Sequence, residues 1–187
     1  MKHLHKNKAV VIWSIGVLVV SLQVAGSRTA QAVKAIPQAQ AQLQEKALRV
    51  QTLEKFHNAD RLTKTDLVHL LSAVGFEGSN LKEAWAIAMK ESRGNPLSHN
   101  GNRKTGDNSF GLFQVNMLGS MGQERRDKFN LDYNAKLLDP VVNAQVAYHM
   151  SNGGKDWSAW KGLKTKAVKF WLSQFPDKAK AKAIAKA

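Results

Sequence analysis

Glu91 is the residue of this chain whose sequence neighbours suit proton transfer. Ala84, Ile87 and Ala88 precede it by seven, four and three positions, so on a helix its carboxyl lies on or beside an apolar face. In the last turn of a helix a carboxyl meets the negative end of the helix dipole, and an apolar wall disfavours charge, so both effects favour the protonated form. A carboxyl kept protonated near neutral pH is the general acid that glycosidic bond cleavage requires. A Glu at a helix end is also an ordinary solvated residue, so its neighbours must supply the specificity. Asp107 is the one acid between Ser92 and Phe110, and it reads either as a second catalytic carboxylate or as an Asx turn with Asn108 and Ser109. There is no cysteine, which excludes thiol catalysis and thiolate metal sites. His57 and His69 lack metal-ligand spacing, so no metal and no cofactor are expected.

The acid needs a helix to carry it. Leu81, Ala84, Trp85, Ala88 and Met89 recur at helical spacing, with Asn80 and Glu83 as a capping box and Gly94 and Pro96 as the stop. A preceding helix opens at Thr65-Asp66, carries Leu67, Val68, Leu70, Leu71 and Val74, and closes at Gly75. Residues 92–110 are dense in Gly, Asn, Pro and Asp, which predicts hairpin-like loops forming the small lobe of a cleft. The chain returns through an apolar run at 111–117 to a charged segment, where Arg125 and Arg126 read as a solvated face or as binders of a carboxylate. Asp139-Pro140 starts another helix, which Gly153-Gly154 ends. Trp157 and Trp160 are core anchors or a sugar platform.

Glu91-Ser92, Asn95-Pro96, Gly106-Asp107 and the run Gly111-Leu112-Phe113-Gln114-Val115-Asn116 together resemble the signature of lysozyme-like lytic transglycosylases and goose-type lysozymes. Phe113 stands where that family usually has Met. The resemblance covers residues 62–161 and implies a mainly α (α+β), lysozyme-like fold with a small hairpin lobe. It implies cleavage of the β-1,4 bond between N-acetylmuramic acid and N-acetylglucosamine in peptidoglycan. Glu91 inherits the acid role, Ser92 a supporting one and Gln114 a substrate contact, with Asn116 beside it in the same run. Asn143-Ala144 and Tyr148 resemble the later family helix whose Tyr approaches the catalytic Glu, which makes Asn143 and Tyr148 site candidates. In goose-type hydrolases a carboxylate occupies the position of Asn116, and an amide cannot act as a base. Transglycosylation with Glu91 as sole acid and base is therefore favoured over an inverting hydrolase that uses Asp107 to position water. A non-catalytic envelope-binding factor is the reading from another class.

Twenty-eight Lys and Arg against fourteen Asp and Glu give a formal net charge of +14, which favours anionic envelope polymers or lipids as partners. Nucleic acid shares that preference, but no aromatic-basic interleaving or helix-turn-helix pattern accompanies it. Lys2, Lys6 and Lys8 precede the apolar run 9–20, the pattern of an export signal, either cleaved or retained as an inner-membrane anchor. Either form puts the remainder in the periplasm or another extracytoplasmic space. The expected organisation is a signal or anchor at 1–26, an Ala/Gln-rich helical stalk at 27–61, the lysozyme-like domain at 62–161, and a basic helix and tail at 162–187.

Overall fold

The computed structural model describes residues 28–102, 104, 106–160 and 165–176. The expected export segment and the lysine-rich end of the tail lie outside the described residues. Among the described residues no helix is long and apolar enough to cross a membrane. The chain divides into two compact units, residues 1–40 and 41–187. In the first, the described part is the start of helix α1 (Arg28–Phe56), with Pro37 inside it. The rest of α1 belongs to the second unit, where Leu43, Leu48 and Val50 are exposed and Phe56 is buried.

The second unit is a helical body with a small sheet, as expected. After α1 come α2 (Lys64–Val74), α3 (Gly78–Ser92), β1 (His99–Asn100), β2 (Ser109–Phe110), β3 (Val115–Asn116), α4 (Gly119–Phe129), a 3-10 turn at Asn134–Leu138, α5 (Pro140–Met150), a second 3-10 turn at Ser158–Trp160, and α6 (Lys166–Ser173). The three strands form an antiparallel meander in the order β1-β2-β3, pairing Asn100 with Ser109 and Phe110 with Val115. The predicted hairpin lobe is this meander.

Helix boundaries follow side-chain chemistry. Thr63 caps α2 in a reciprocal box with Asp66: the Thr63 hydroxyl accepts from Asp66 N, and the Asp66 carboxylate accepts from Thr63 N. The box expected at Asn80 and Glu83 is not formed. α3 opens three residues earlier, at Gly78 with Glu77 in the cap position, so Asn80 lies in the first turn, where its amide donates to Gly153 O at 3.2 Å. Asp139 caps α5 as expected, accepting from Val141 N and Val142 N, with Pro140 in the first turn, where its missing N–H costs nothing.

The core gathers around α3, whose residues Ala84 through Met89 are all buried. α2 packs against both α3 and α5. α6 lies along α3, with Val168 fully buried and Trp171 and Phe175 presenting ring edges to Trp85 at centroid distances of 6.2 and 5.4 Å. The first part of the basic C-terminal segment is therefore a structural member of the body. Trp85 Nε1, fully buried, donates to Lys64 O.

Two polar anchors fasten this body. Asn143, fully buried on α5, accepts from Phe113 N and donates to Phe110 O and Leu137 O, each at 2.9 Å. Both its donors and its acceptor are used, so the buried amide leaves no unpaired group. Gly111 lies against it at φ 73°, where a Cβ would collide with the Leu137 carbonyl and the Asn143 amide. The second anchor is Asp139, whose carboxylate also accepts from His57 Nδ1 at 2.9 Å and Asn58 N at 3.1 Å. Burial pushes the Asp139 carboxyl upward, but the bonds from His57, Val142 N and Asn58 N outweigh it and hold the group below its usual range.

Replacing Asn143 by Ala strands three backbone groups, at about 1–3 kcal/mol for each one left without a partner, and should cost about 4 kcal/mol in all in urea unfolding. Asp139 is depressed in the folded state, so its stabilisation is complete above the ordinary carboxyl value of 3.8 and is lost as pH falls below it. Asp139→Ala should lower stability by about 2 kcal/mol at pH 7, and thermal melts should show the gap to the native chain narrowing as pH falls below the ordinary carboxyl value.

Candidate active site

Glu91 sits in the last turn of α3, which Arg93 ends in the left-handed conformation at φ 58°. The Glu91 side chain is 22% exposed. Its Oε1 is 2.7 Å from the ammonium of Lys90, whose Nζ also donates to Trp160 O at 3.2 Å. Among the described residues Oε2 has no hydrogen-bond partner. One carboxyl oxygen is thus held by the protein while the other is available to a ligand. Lys90 and Trp160 are members of the site that the sequence reading missed as partners of the acid. The only available signal was a lysine adjoining the Glu in sequence.

The small lobe is stitched to the chain just beyond the acid. Gly111 N donates to Ser98 O at 2.7 Å, and Gln114 Nε2 donates to both Ser98 O and Gly111 O at 3.0 and 2.9 Å. Gln114 holds a left-handed backbone at φ 47°, a conformation that costs a non-glycine residue roughly 1 kcal/mol and is kept here by these bonds. Its amide nitrogen is committed to the lobe, and its amide oxygen has no partner among the described residues. Ser92 is closer to the acid in sequence but serves the helix end: its hydroxyl donates to Ala88 O and accepts from Gly94 N.

Asp107 and Asn116 brace the lobe from within. The Asp107 carboxylate accepts from Asn100 Nδ2 at 2.7 Å through one oxygen and from the Ser109 hydroxyl through the other. Asn116 Oδ1 accepts from Asn108 N and Leu118 N, while Nδ2 donates to Gly106 O at 3.0 Å. A carboxylate at position 116 could not make the last of these bonds. The Arg125 guanidinium, half-buried and pushed below its usual range by that burial, donates to Asn116 O. Arg126 donates to Asn134 Oδ1 and Gln123 Oε1.

Two expected site residues are placed elsewhere. Asn143 is fully buried, so it fastens the lobe and cannot touch a substrate. Tyr148 does not approach Glu91. Its ring packs edge-on against Phe76 at 5.0 Å, and its edge lies over Gly75 and Gly153. Those contacts are at the N-terminal end of α3, and a helix rising 1.5 Å per residue puts that end roughly 20 Å from Glu91. Trp157 and Trp160 are 4% and 6% exposed, so they are core anchors and offer no sugar platform. Trp157 stacks nearly parallel with Phe76 and Phe113, and Trp160 Nε1 donates to Phe113 O at 2.7 Å. Among the described residues no three His, Asp or Glu side chains cluster as metal ligands.

No curated protein and no solved structure matches this chain. A family model described as a lysozyme-like domain matches residues 68–162, just over half of the sequence. The matched span runs from within α2 through the acid helix, the lobe and Trp160. The chain belongs to the lysozyme-like domain family.

Proposed function

We propose that this protein is a peptidoglycan lytic transglycosylase in which Glu91 serves as the single acid and base. Membership of the lysozyme-like domain family supports action on peptidoglycan glycan strands. The observation that carries the finer reading is the contrast between two carboxylates. Glu91 keeps one oxygen open, whereas both oxygens of Asp107 accept hydrogen bonds inside the lobe. Asn116, at the position where goose-type hydrolases carry a carboxylate, is an amide committed to three bonds.

In this scheme protonated Glu91 gives its proton to the oxygen bridging N-acetylmuramic acid and N-acetylglucosamine, and the C1–O bond breaks as oxocarbenium character develops at C1. The muramyl 6-hydroxyl then attacks C1 within the same sugar while its proton passes to the Glu91 carboxylate. The product carries a 1,6-anhydro ring, and the enzyme returns to its starting protonation state without a bound water. Gln114, through its open amide oxygen, is suited to accept from a sugar N-acetyl or hydroxyl group, and Ser92 supports the helix end that aims the acid.

The matching place of action is extracytoplasmic. The basic leader and apolar run would export the chain or anchor it in the inner membrane, and the cationic tail would hold it against anionic wall polymers or lipids.

Digestion of purified peptidoglycan by the full chain, read by mass spectrometry, tests the scheme. Anhydromuramyl ends are expected; reducing muramyl ends would replace it with hydrolysis, and absence of any fragments would leave a glycan-binding factor. Glu91→Gln should reduce fragment release about 10²- to 10⁴-fold, the span of general-acid contributions. Asp107→Asn should keep activity within about threefold, whereas loss of a water-activating base would cost 10²-fold or about that.

A further inference from the structure

Lys90 does more than neighbour the acid in sequence. Its ammonium bridges Glu91 Oε1 at 2.7 Å and Trp160 O at 3.2 Å, and the side chains of the pair are only 20% and 22% exposed. Trp160 in turn reaches the lobe, its ring N–H donating to Phe113 O, while Phe113 N donates to Asn143. A continuous set of bonds therefore runs from the acid through Lys90 and Trp160 to the residue preceding Gln114. Because the Lys90–Glu91 contact is partly withdrawn from water, Oε1 is held in a narrower geometry than an exposed side chain would be.

Resting on the reading of Glu91 as the acid, we propose that Lys90 is a positioning residue for the reaction. It fixes Oε1 so that Oε2 faces the glycosidic oxygen, and it stabilises the charge that appears when the proton leaves. As the Oε2–H bond breaks and the proton goes to the bridging oxygen, the C1–O electron pair goes to that oxygen and the carboxyl becomes a carboxylate beside the Lys90 ammonium. That favourable charge contact is made as the proton transfers and is weaker while the carboxyl is neutral. Its effect therefore falls on kcat and leaves substrate binding nearly unchanged. In the return step, the proton from the muramyl 6-hydroxyl reaches a carboxylate that Lys90 has kept in place. The bond to Trp160 O gives Lys90 a fixed point outside α3, so the acid is referenced to the lobe that would hold the sugar.

The experiment compares kcat and KM on soluble peptidoglycan strands, together with thermal melts, for the full native chain, Lys90→Met, Lys90→Arg and Glu91→Gln. Lys90→Met should lower kcat about 10- to 100-fold, leave KM within about twofold and leave the melting temperature within about 3 °C. Lys90→Arg, which keeps the charge, should recover kcat to within about threefold of native. A native kcat in Lys90→Met overturns the proposal, as does a loss that tracks a falling melting temperature and that Arg does not rescue. Where the native chain cleaves and Glu91→Gln does not, those results bear on Lys90 alone. A native chain that releases no fragments overturns the Lys90 proposal and the catalytic reading together.

Discussion

The Asn143 amide joins the two halves of this domain's architecture. One side chain on α5 takes Phe113 N, Phe110 O and Leu137 O, so the turn between β2 and β3 is fixed to the helical body at its root. The close approach this requires is possible because position 111 has no Cβ. Everything the lobe presents, including Gln114 in its left-handed conformation, is built outward from that attachment. A two-residue ladder on each side would be marginal alone in water. Buried, fully paired bonds to a helix let so small a sheet hold one shape.

From the same root the network extends toward the acid. Phe113 is bonded at N by Asn143 and at O by Trp160, and the Trp160 carbonyl receives Lys90. The aromatic stack of Phe76, Phe113 and Trp157 fills the space behind it, with Trp160 set edge-on to Phe113. These rings do for the site what an apolar core does for a fold: they exclude alternatives for the backbone groups that the polar bonds then select. The position of Glu91 is accordingly set by α3 and its packing against α2 and α6, and its orientation by Lys90.

Much of this was legible in the residues because the signals were local. Asp139-Pro140 starts a helix since both its cap and its first-turn proline act within one turn, and the density of turn formers in 92–110 marks the lobe. The Asn80 box failed because α3 begins at Gly78, which puts Asn80 inside the first turn instead of at the cap, and leaves its Nδ2 to donate to Gly153 O, seventy-three residues away. Tyr148 failed for a related reason. A residue pattern on a helix identifies the helix but not which end of α3 its side chain meets, and packing against Phe76 sends the ring away from the acid. Asn143 is a buried amide that fastens the lobe, and sequence does not distinguish such an amide from one lining a cleft. Lys90 was missed because its second partner is a main-chain carbonyl, which carries no side-chain signature.

The distribution of amides and carboxylates across the lobe bears directly on chemistry. Asn116 uses both ends of its side chain, giving to Gly106 O and receiving from Asn108 N and Leu118 N. An Asp there would keep its two acceptors, lose the donor and set a negative charge opposite the Gly106 carbonyl, so a carboxylate at that position would weaken the lobe. Asp107 is the converse case: receiving from Asn100 and the Ser109 hydroxyl, it gains lobe stability from oxygens that a water-activating base would need to keep available. Both side chains are committed to the structure of the lobe. On the proposed scheme, a lobe held this way leaves the nucleophile to come from the substrate, and the muramyl 6-hydroxyl is the group carried by the sugar being cleaved.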